Sequence, residues 1–232
     1  MKRLFDIIFS LCVLSVSSLV LLPILFLIYL EDKHSPIYVA SRMGRNFRTF
    51  KMYKLRSMVV NADSIGGSST SNHDPRITKM GRVVRKYKLD ELMQFVNVLI
   101  GDMSVVGPRP QVQAAVQGYT FEERKLLGIR PGITDIASVV FSDEGDILEG
   151  VADPDQSYDL LIRPWKSRLG LIYLRRSSLM LDIKLILLTA LAVIKRDLAL
   201  FLLQRVLLGF DVEPYLMEIA SRQKPLFAGE PP

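Results

Sequence analysis

Two segments in the middle of the chain carry side chains suited to chemistry on a phosphorylated ligand. One is Gly107-Pro108-Arg109-Pro110, in which the flanking prolines fix the backbone and lower the entropy cost of placing Arg109. A guanidinium held in this way suits bidentate phosphate binding or stacking on a base. Arg130-Pro131-Gly132 repeats the pattern further along the chain. A stiff surface loop has the same composition, so the pattern alone leaves that alternative open.

The second segment contains two adjacent carboxylates, Asp90 and Glu91, that follow a run of basic residues. Lys86 lies at i,i+4 to Asp90 and Lys88 at i,i+3 to Glu91, which is the spacing of ion pairs on a helix surface. Such pairs are common and weak. The residue types alone therefore do not decide whether the two acids take part in a reaction or form ordinary ion pairs on a helix surface.

An apolar segment near the amino terminus determines where such a site would work. From Leu4 to Leu30 only Asp6 is charged, which is long enough for one helix to cross a hydrocarbon core of ~30 Å. Pro23 lies inside the run and would kink a helix there, so the segment could also turn back. A signal peptide is a third alternative, although the segment is long for one and lacks a clear cleavage motif.

A second apolar zone extends from Leu179 to Phe210. Its charged residues are Asp182, Lys184, Lys195, Arg196, Asp197 and Arg205. This spacing favours amphipathic helices that lie in a membrane interface or on the domain. A buried pair of helices in a soluble core is the alternative.

The amino-acid composition excludes several classes of protein. The chain has 232 residues, 49% of them hydrophobic, and a net charge of +6, with a mean hydropathy of +0.24. This length suits one domain with its own core. The single cysteine, Cys12, excludes an internal disulfide framework, and two histidines make a histidine-rich metal site improbable. A chain both basic and apolar suits an anionic membrane surface better than nucleic acid, for which no recognition module is present.

The remaining pattern predicts a small β-hairpin followed by short helices. Ile37 to Ala40 and Thr49 to Leu55 are the two expected strands, joined at Gly44-Arg45-Asn46. Residues 61–75, rich in Gly, Ser and Asn, are expected to form a mobile loop.

Further along, Thr78 is expected to cap a helix that continues to about Ile100. Thr120 and Glu123 form a capping box for another short helix. The proline-containing tail after Asp211 is expected to be loosely held.

Several motifs occur together in a defined order. They are Lys2-Arg3-Leu4-Phe5-Asp6, the hairpin from Pro36 to Met58, Asp74-Pro75-Arg76-Ile77-Thr78, Leu89-Asp90-Glu91-Leu92, Gly101 to Pro110, Arg130 to Thr134, and Asp182. In this combination the chain resembles the bacterial sugar transferases, the monotopic phosphoglycosyl transferase family. The resemblance covers roughly residues 2–195.

The resemblance implies a fold and a division of the chain. The expected class is α/β and helix-dominated, with an N-terminal re-entrant membrane helix-break-helix and a small β-hairpin. Interfacial amphipathic helices would surround an active site on the cytoplasmic side. Residues 1–33 would form the membrane-associated segment, residues 34–210 the catalytic domain, and residues 211–232 a C-terminal tail.

The resemblance also implies an activity: transfer of a phosphosugar from a UDP-sugar to polyprenol phosphate, here undecaprenyl phosphate, to start glycan assembly. Asp90 would be the nucleophile that forms an aspartyl-phosphosugar, and Glu91 would assist it. Both would hold Mg²⁺, the family cofactor. The residues expected to contact substrate are Lys54, Arg56, Arg85, Pro108, Arg109, Pro110, Arg130 and Asp182. A structural role for Asp182 stays open.

The implied partners are the donor, the lipid acceptor and the phospholipid membrane, with no nucleic acid and a homodimer left open. The implied location is the cytoplasmic face of the bacterial inner membrane. A non-catalytic, membrane-anchored scaffold of envelope glycan assembly is the alternative, in which Asp90 and Glu91 would be ordinary surface acids.

Three residues depart from the family pattern. Leu22 stands before Pro23 where a serine is common, Met93 replaces a proline after the acidic pair, and Asp135 stands where many members have glycine. The last departure leaves the identity of the sugar open.

Overall fold

The computed structural model describes residues 1–65, 70, 71 and 73–232. It begins with the long helix α1 (Lys2–Asp32), which contains Pro23 without a break in the helical assignment. Within the described residues, α1 is the one helix that is long and apolar enough to cross a membrane. The predicted apolar helix is therefore present, and its relation to the membrane is considered below.

The first turns of α1 are bound to the domain by charged side chains. Asp6 accepts hydrogen bonds from the Ser104 hydroxyl at 2.8 Å and the Val105 amide at 3.1 Å. Arg3 donates to the carbonyl oxygens of Val98 at 2.5 Å and Leu99 at 3.0 Å. These residues are far apart in sequence, so the helix start is held by tertiary structure.

The last turns of α1 are also bound to the domain. The Arg56 guanidinium donates to both carboxylate oxygens of Asp32, at 2.5 and 2.6 Å. Between the two ends, Leu21 and Ile28 are buried in a cluster with Leu55 and Val84. One face of α1 therefore contacts the domain from its first turn to its last, both before and after Pro23.

The predicted hairpin is confirmed. Strands β1 (Ile37–Met43) and β2 (Thr49–Leu55) pair antiparallel, with Ile37 opposite Leu55 and Met43 opposite Thr49. Successive residues of a strand face opposite sides, so Ala40 and Met52 are buried on one face of the hairpin. After β2 come the short helix α2 (Ala62–Ile65) and an antiparallel bridge between Met58 and Ile77. The predicted mobile loop falls partly on residues 66–69 and 72, which lie outside the described residues.

The prediction of one helix from Thr78 to about Ile100 is wrong. Thr78 does cap a helix, α3 (Lys79–Lys86), by accepting from the Gly81 amide. Lys88 then adopts a left-handed conformation with φ 53°, a 3₁₀ turn follows at Leu89–Met93, and α4 (Gln94–Ile100) begins after it. The break lets Leu89, Leu92 and Met93 pack on the α1 cluster while α4 takes another direction.

Two short strands form the centre of the domain. β3 (Ser104–Val106) pairs in parallel with β4 (Gly132–Thr134). The short helices between them are α5 (Gln113–Gln117) and α6 (Phe121–Arg124), and the predicted capping box of Thr120 and Glu123 is present. A Cβ on Gly132 would lie 2.0 Å from the Gly107 amide nitrogen, so the close backbone approach here requires glycine.

Helices form most of the rest of the domain. In chain order they are α7 (Ile136–Val140), α8 (Glu144–Ile147), α9 (Pro154–Leu161), α10 (Arg163–Arg176), α11 (Leu179–Ile194), α12 (Arg196–Leu208) and α13 (Pro214–Ser221). Their buried side chains, among them Ile136, Leu169, Tyr173, Leu185 and Leu203, form one core with β3.

Helices α11 and α12 occupy the second apolar zone, and apolar side chains lie on both their buried and their exposed faces. Leu185 and Leu203 are fully buried, whereas Leu187, Ile194 and Leu208 are exposed. Each helix therefore contributes one apolar face to the core and leaves another uncovered in the isolated chain.

The prediction of a loosely held tail after Asp211 is wrong. The Trp165 indole donates to the Phe227 carbonyl at 3.1 Å, and the two rings meet edge to face at 4.8 Å. Arg168 donates to the Glu230 carbonyl at 2.5 Å, and Thr120 donates to that of Pro232 at 2.5 Å. The aromatic contact and these hydrogen bonds hold the C-terminal segment against the domain, although its prolines had led us to expect a loosely held tail.

Gly81 permits the close approach of α3 to the end of β2. An added Cβ would lie 1.9 Å from the Ser57 carbonyl oxygen, so we expect Gly81→Ala to destabilise the fold by at least about 2 kcal/mol. Gly128→Ala is the matched control, because nothing lies within 4 Å of its Cβ position. Thermal unfolding in detergent measures both, and equal stability of the two variants would contradict the close approach.

The bond between Asp32 and Arg56 predicts a coupled effect on stability. We expect Asp32→Asn to lower the Tm by a few degrees in the wild-type chain, because it weakens a charge-assisted hydrogen-bonded pair. In an Arg56→Met background the same change should have no effect, because the partner is already gone. Thermal unfolding of the two single variants and the double variant tests this. If the losses in Tm of the two single variants add up in the double variant, the two side chains do not interact.

Candidate active site

The two acidic residues lie on the 3₁₀ turn that interrupts the predicted helix. Leu89 and Leu92 of this turn face the α1 cluster. Asp90 and Glu91 have side chains that are 15% and 19% exposed. The acids are therefore largely removed from water, unlike the surface pairs that an unbroken helix would present.

Cations from two distant elements meet the acidic pair. Arg109, held between Pro108 and Pro110, donates to Oε1 of Glu91 at 2.5 Å. Lys54 of β2 places its Nζ 3.8 Å from Oδ2 of Asp90 and 3.8 Å from Oε1 of Glu91. The structure thus brings together Lys54, Arg109, Asp90 and Glu91, as the motifs predicted.

The environment makes the two carboxyl groups unequal. Burial raises the pKa of Asp90, and the charge of Glu91 raises it further against the opposing effect of Lys54. Burial also acts to raise the pKa of Glu91, but Arg109 and Lys54 outweigh it and lower that pKa to about 2. Glu91 is therefore an ionised partner of Arg109, and Asp90 is the less compensated acid of the pair.

Further cations surround the pair. The charge of Arg85, a predicted site residue, lowers the pKa of Asp90, and that of Lys88 lowers the pKa of Glu91. Sequence reasoning missed Arg42, whose charge helps to lower the pKa of Lys54. Arg42 is opposite Phe50 in the hairpin and Lys54 is opposite Tyr38, so both project from the same face. Strand alternation combined with the register would have found it.

A pocket opens on the other side of Arg109. It is lined by Pro108, Arg109, Gln111, Ala115, Tyr119, Leu126, Asp135, Ala137, Ser138, Tyr158, Arg163, Lys166 and Ser167. Lys166 is paired with Glu144, and Arg163 is paired with Glu123 at 2.8 Å. Apart from Pro108, Arg109 and Asp135, the sequence analysis singled out none of these residues, because most of them are spread over α5, α7, α9, α10 and the segments next to α6.

Three predicted substrate contacts are engaged elsewhere. Arg56 holds Asp32 at the end of α1. Arg130 donates to the Gly101 carbonyl at 2.8 Å. Asp182 accepts from Lys2 at 2.5 Å and from the Tyr173 hydroxyl at 2.6 Å. In this structure each of these side chains joins separate parts of the fold, and its contact with substrate stays a prediction.

Asp90 and Glu91 could hold a divalent cation only together with other oxygen ligands. No group of three or more His, Cys, Asp or Glu suited to a metal occurs among the residues that the structure describes. Glu91 is already bound to a guanidinium, and cations surround the pair. Mg²⁺ commonly takes one or two carboxylates and completes its shell with substrate phosphates and water. The donor set thus fits a magnesium ion that binds with a polyphosphate ligand.

Comparison with known proteins agrees with the motifs. A family model described as Bacterial sugar transferase matches residues 1–196. The exopolysaccharide production protein PSS of Rhizobium leguminosarum bv. phaseoli is 34% identical over 197 residues, which cover 80% of this chain and 91% of that protein. A UDP-glucose:undecaprenyl-phosphate glucose-1-phosphate transferase of Klebsiella pneumoniae is 37% identical over 196 residues, 81% of this chain.

Several relatives are much longer than this chain. The matched region spans 39% of the Klebsiella pneumoniae protein and 41% of an undecaprenyl-phosphate galactose phosphotransferase of Salmonella typhimurium, which is 32% identical over 212 residues. The similarity thus concerns the region that carries the acidic pair and its cations. With the family model covering residues 1–196, the chain belongs to the bacterial sugar transferase family.

Proposed function

We propose that this chain transfers a phosphosugar from a UDP-sugar to polyprenol phosphate through a covalent intermediate on Asp90. The observation that carries the proposal is the charge around the acidic pair. Two largely buried carboxylates are surrounded by Lys54, Lys88, Arg85 and Arg109. This surplus of positive charge suits a ligand that brings a diphosphate.

In the first step the Asp90 carboxylate attacks the phosphorus that carries the sugar. A bond forms between a carboxylate oxygen and that phosphorus, and the bond to the bridging oxygen breaks, so uridine monophosphate leaves with the electron pair. Repulsion between the nucleophile and a polyanion opposes this step. Lys54 and Arg109 reduce that repulsion and stabilise the charge that develops in the transition state.

In the second step a phosphate oxygen of the lipid acceptor attacks the same phosphorus. The acyl–phosphate bond breaks, and the Asp90 carboxylate is regenerated. Glu91 keeps Arg109 in place throughout. Asp90 and Glu91 would hold Mg²⁺ with the donor, where the ion would neutralise phosphate charge. The relatives named as undecaprenyl-phosphate transferases support this donor and acceptor class.

The packing of α1 supports entry into the membrane from one side. At 1.5 Å per residue, a helix of this length is roughly 46 Å long, and both of its ends are bound to the same domain. A helix that crossed the bilayer would carry this domain into the hydrocarbon. We propose that α1 is re-entrant, bends at Pro23 in the bilayer, and leaves the domain at the cytoplasmic face of the inner membrane.

The exposed apolar faces support the same arrangement. Leu19, Leu22 and Phe26 lie near Pro23 and are exposed on α1. Leu187 and Phe201 are exposed on α11 and α12. These faces would lie in the interface, where the phosphate of a polyprenol lipid is also located. The active site would then meet a soluble donor and a membrane-bound acceptor together.

The covalent step predicts a mass change without lipid. Wild-type protein incubated with Mg²⁺ and a panel of UDP-sugars should gain the mass of one phosphosugar, and Asp90→Asn should gain none, because an amide is a far weaker nucleophile. Intact-protein mass spectrometry measures both. Asp211→Asn is the control, because Asp211 is exposed and forms no ion pair in the described part of the chain. An adduct on Asp90→Asn would exclude Asp90 as nucleophile, and a wild type that neither forms an adduct nor transfers sugar would favour the scaffold.

The membrane arrangement predicts that both ends of α1 face the cytoplasm. Cys12 is the single cysteine and is replaced by serine, after which Leu4→Cys and Ser35→Cys are made separately. A membrane-impermeant maleimide should label each cysteine in inverted vesicles and neither in intact spheroplasts. Labelling of the two positions from opposite faces would show that α1 spans the bilayer.

A further inference from the structure

The pocket beside the acidic pair shares Arg109 with it. Arg109 donates to Glu91 and also lines the pocket, together with Asp135, Tyr158 and Lys166. A donor whose phosphates contact Arg109 therefore has this pocket within reach of the groups attached to those phosphates. What the pocket accepts depends on its charge and on its unused hydrogen-bonding groups.

The cations in the lining are already neutralised. Arg109 is paired with Glu91 at 2.5 Å, Arg163 with Glu123 at 2.8 Å, and Lys166 with Glu144. Asp135 is the remaining charged side chain of the lining, and it forms no ion pair within the described residues. The pocket is thus unlike the surroundings of Asp90, because it has no uncommitted cation for an anionic group.

Asp135 has hydrogen-bonding capacity left over. Its Oδ1 accepts from the Ser138 amide at 2.7 Å and the Ser138 hydroxyl at 2.8 Å, which caps α7. Among the described residues, no hydrogen bond reaches its Oδ2, and this oxygen is not one of the fully buried polar atoms that lack a partner, so it is accessible to a ligand in the pocket that Asp135 lines. Burial raises the pKa of Asp135, as expected for a carboxylate without a counter-ion. A ligand that donates a hydrogen bond would satisfy it.

We propose that this pocket holds the sugar of the donor, that Asp135 accepts a hydrogen bond from a hydroxyl or N–H group of that sugar, and that the pocket excludes sugars carrying a carboxylate. This inference rests on the proposed function. Tyr119 and Tyr158 offer aromatic surface for the apolar face of a sugar ring. A hexose ring brings several hydroxyl donors next to the phosphate that Arg109 contacts, whereas the donors of uridine, two ribose hydroxyls and one N–H, lie beyond the second phosphate, so the free acceptor of Asp135 favours the sugar.

The test compares neutral and acidic donors on the full chain in detergent. We expect the wild type to form the phosphosugar adduct with at least one of UDP-glucose, UDP-galactose and their N-acetylamino forms, and none with UDP-glucuronic or UDP-galacturonic acid. Asp135→Asn should raise KM for the preferred neutral donor about tenfold or more, because a hydrogen bond to a charged acceptor is lost. It should also lower the discrimination against the uronic acids by a similar factor.

Three comparisons make the result specific. Inhibition by UDP, which lacks the sugar that is transferred, should be unchanged in Asp135→Asn. Asp135→Gly should have the same effect on selectivity as Asp135→Asn, since both residues are tolerated at a helix N-cap and the fold is kept. Asp153→Asn should have no effect, because Asp153 caps α9 in the same way, at 3.0 Å from the Gln156 amide, but is exposed.

Each alternative outcome contradicts a different part of the proposal. If Asp135→Asn weakens the binding of UDP and of the UDP-sugar by the same factor, the pocket holds the nucleotide and not the sugar. Equal adduct formation with uronic and neutral donors, or unchanged selectivity in both Asp135 variants, would overturn the sugar pocket while leaving the proposed function intact. A wild type that reacts with no UDP-sugar would remove the proposed function and this inference together.

Discussion

Two adjacent carboxylates, largely removed from water on one turn, can ionise together only if cations are held next to them. Lys54 and Arg109 meet this requirement, and they come from parts of the chain that precede and follow the acidic pair. The hairpin must therefore place the face of β2 that carries Lys54 next to the 3₁₀ turn with the two acids. The loop that carries Arg109 between two prolines must also approach this turn. Because the cations exceed the acids, the same arrangement that permits the pair also attracts a polyanionic ligand.

Helix α1 and Arg109 are fixed by the same strand, β3. Asp6 binds the Val105 amide, and Lys2 donates to the Val106 carbonyl at 3.1 Å. Gly107, which begins the loop that carries Arg109, follows directly. Docking of α1 therefore sets the position from which Arg109 reaches Glu91. Lys2 and Asp182, which lie far apart in the chain, meet in one network with Tyr173 next to this strand.

The parts of the fold that could be predicted from sequence are those with local signals. Alternation gave the hairpin, capping residues gave the starts of α3 and α6, and flanking prolines singled out Arg109. The break at Lys88 could not be predicted, because apolar residues continue at helical spacing across it and the left-handed residue is not glycine. The pairing of Arg56 with Asp32 could not be predicted, because Arg56 follows the end of β2 at Leu55 and its partner lies 24 residues earlier in the chain. The pocket and the tail depend on contacts between distant segments, such as Trp165 with Phe227, that leave no local pattern.

We propose that Asp90 divides the reaction into two steps, so that the nucleotide leaves before the lipid reacts. Exchange of isotopically labelled uridine monophosphate into the UDP-sugar, in the complete absence of polyprenol phosphate, tests this order of steps. We expect exchange by the wild-type chain, because the aspartyl-phosphosugar can return its sugar phosphate to the labelled nucleotide. Transfer to lipid that proceeds normally, with no exchange when lipid is withheld, would contradict it and indicate direct attack by the acceptor on the donor.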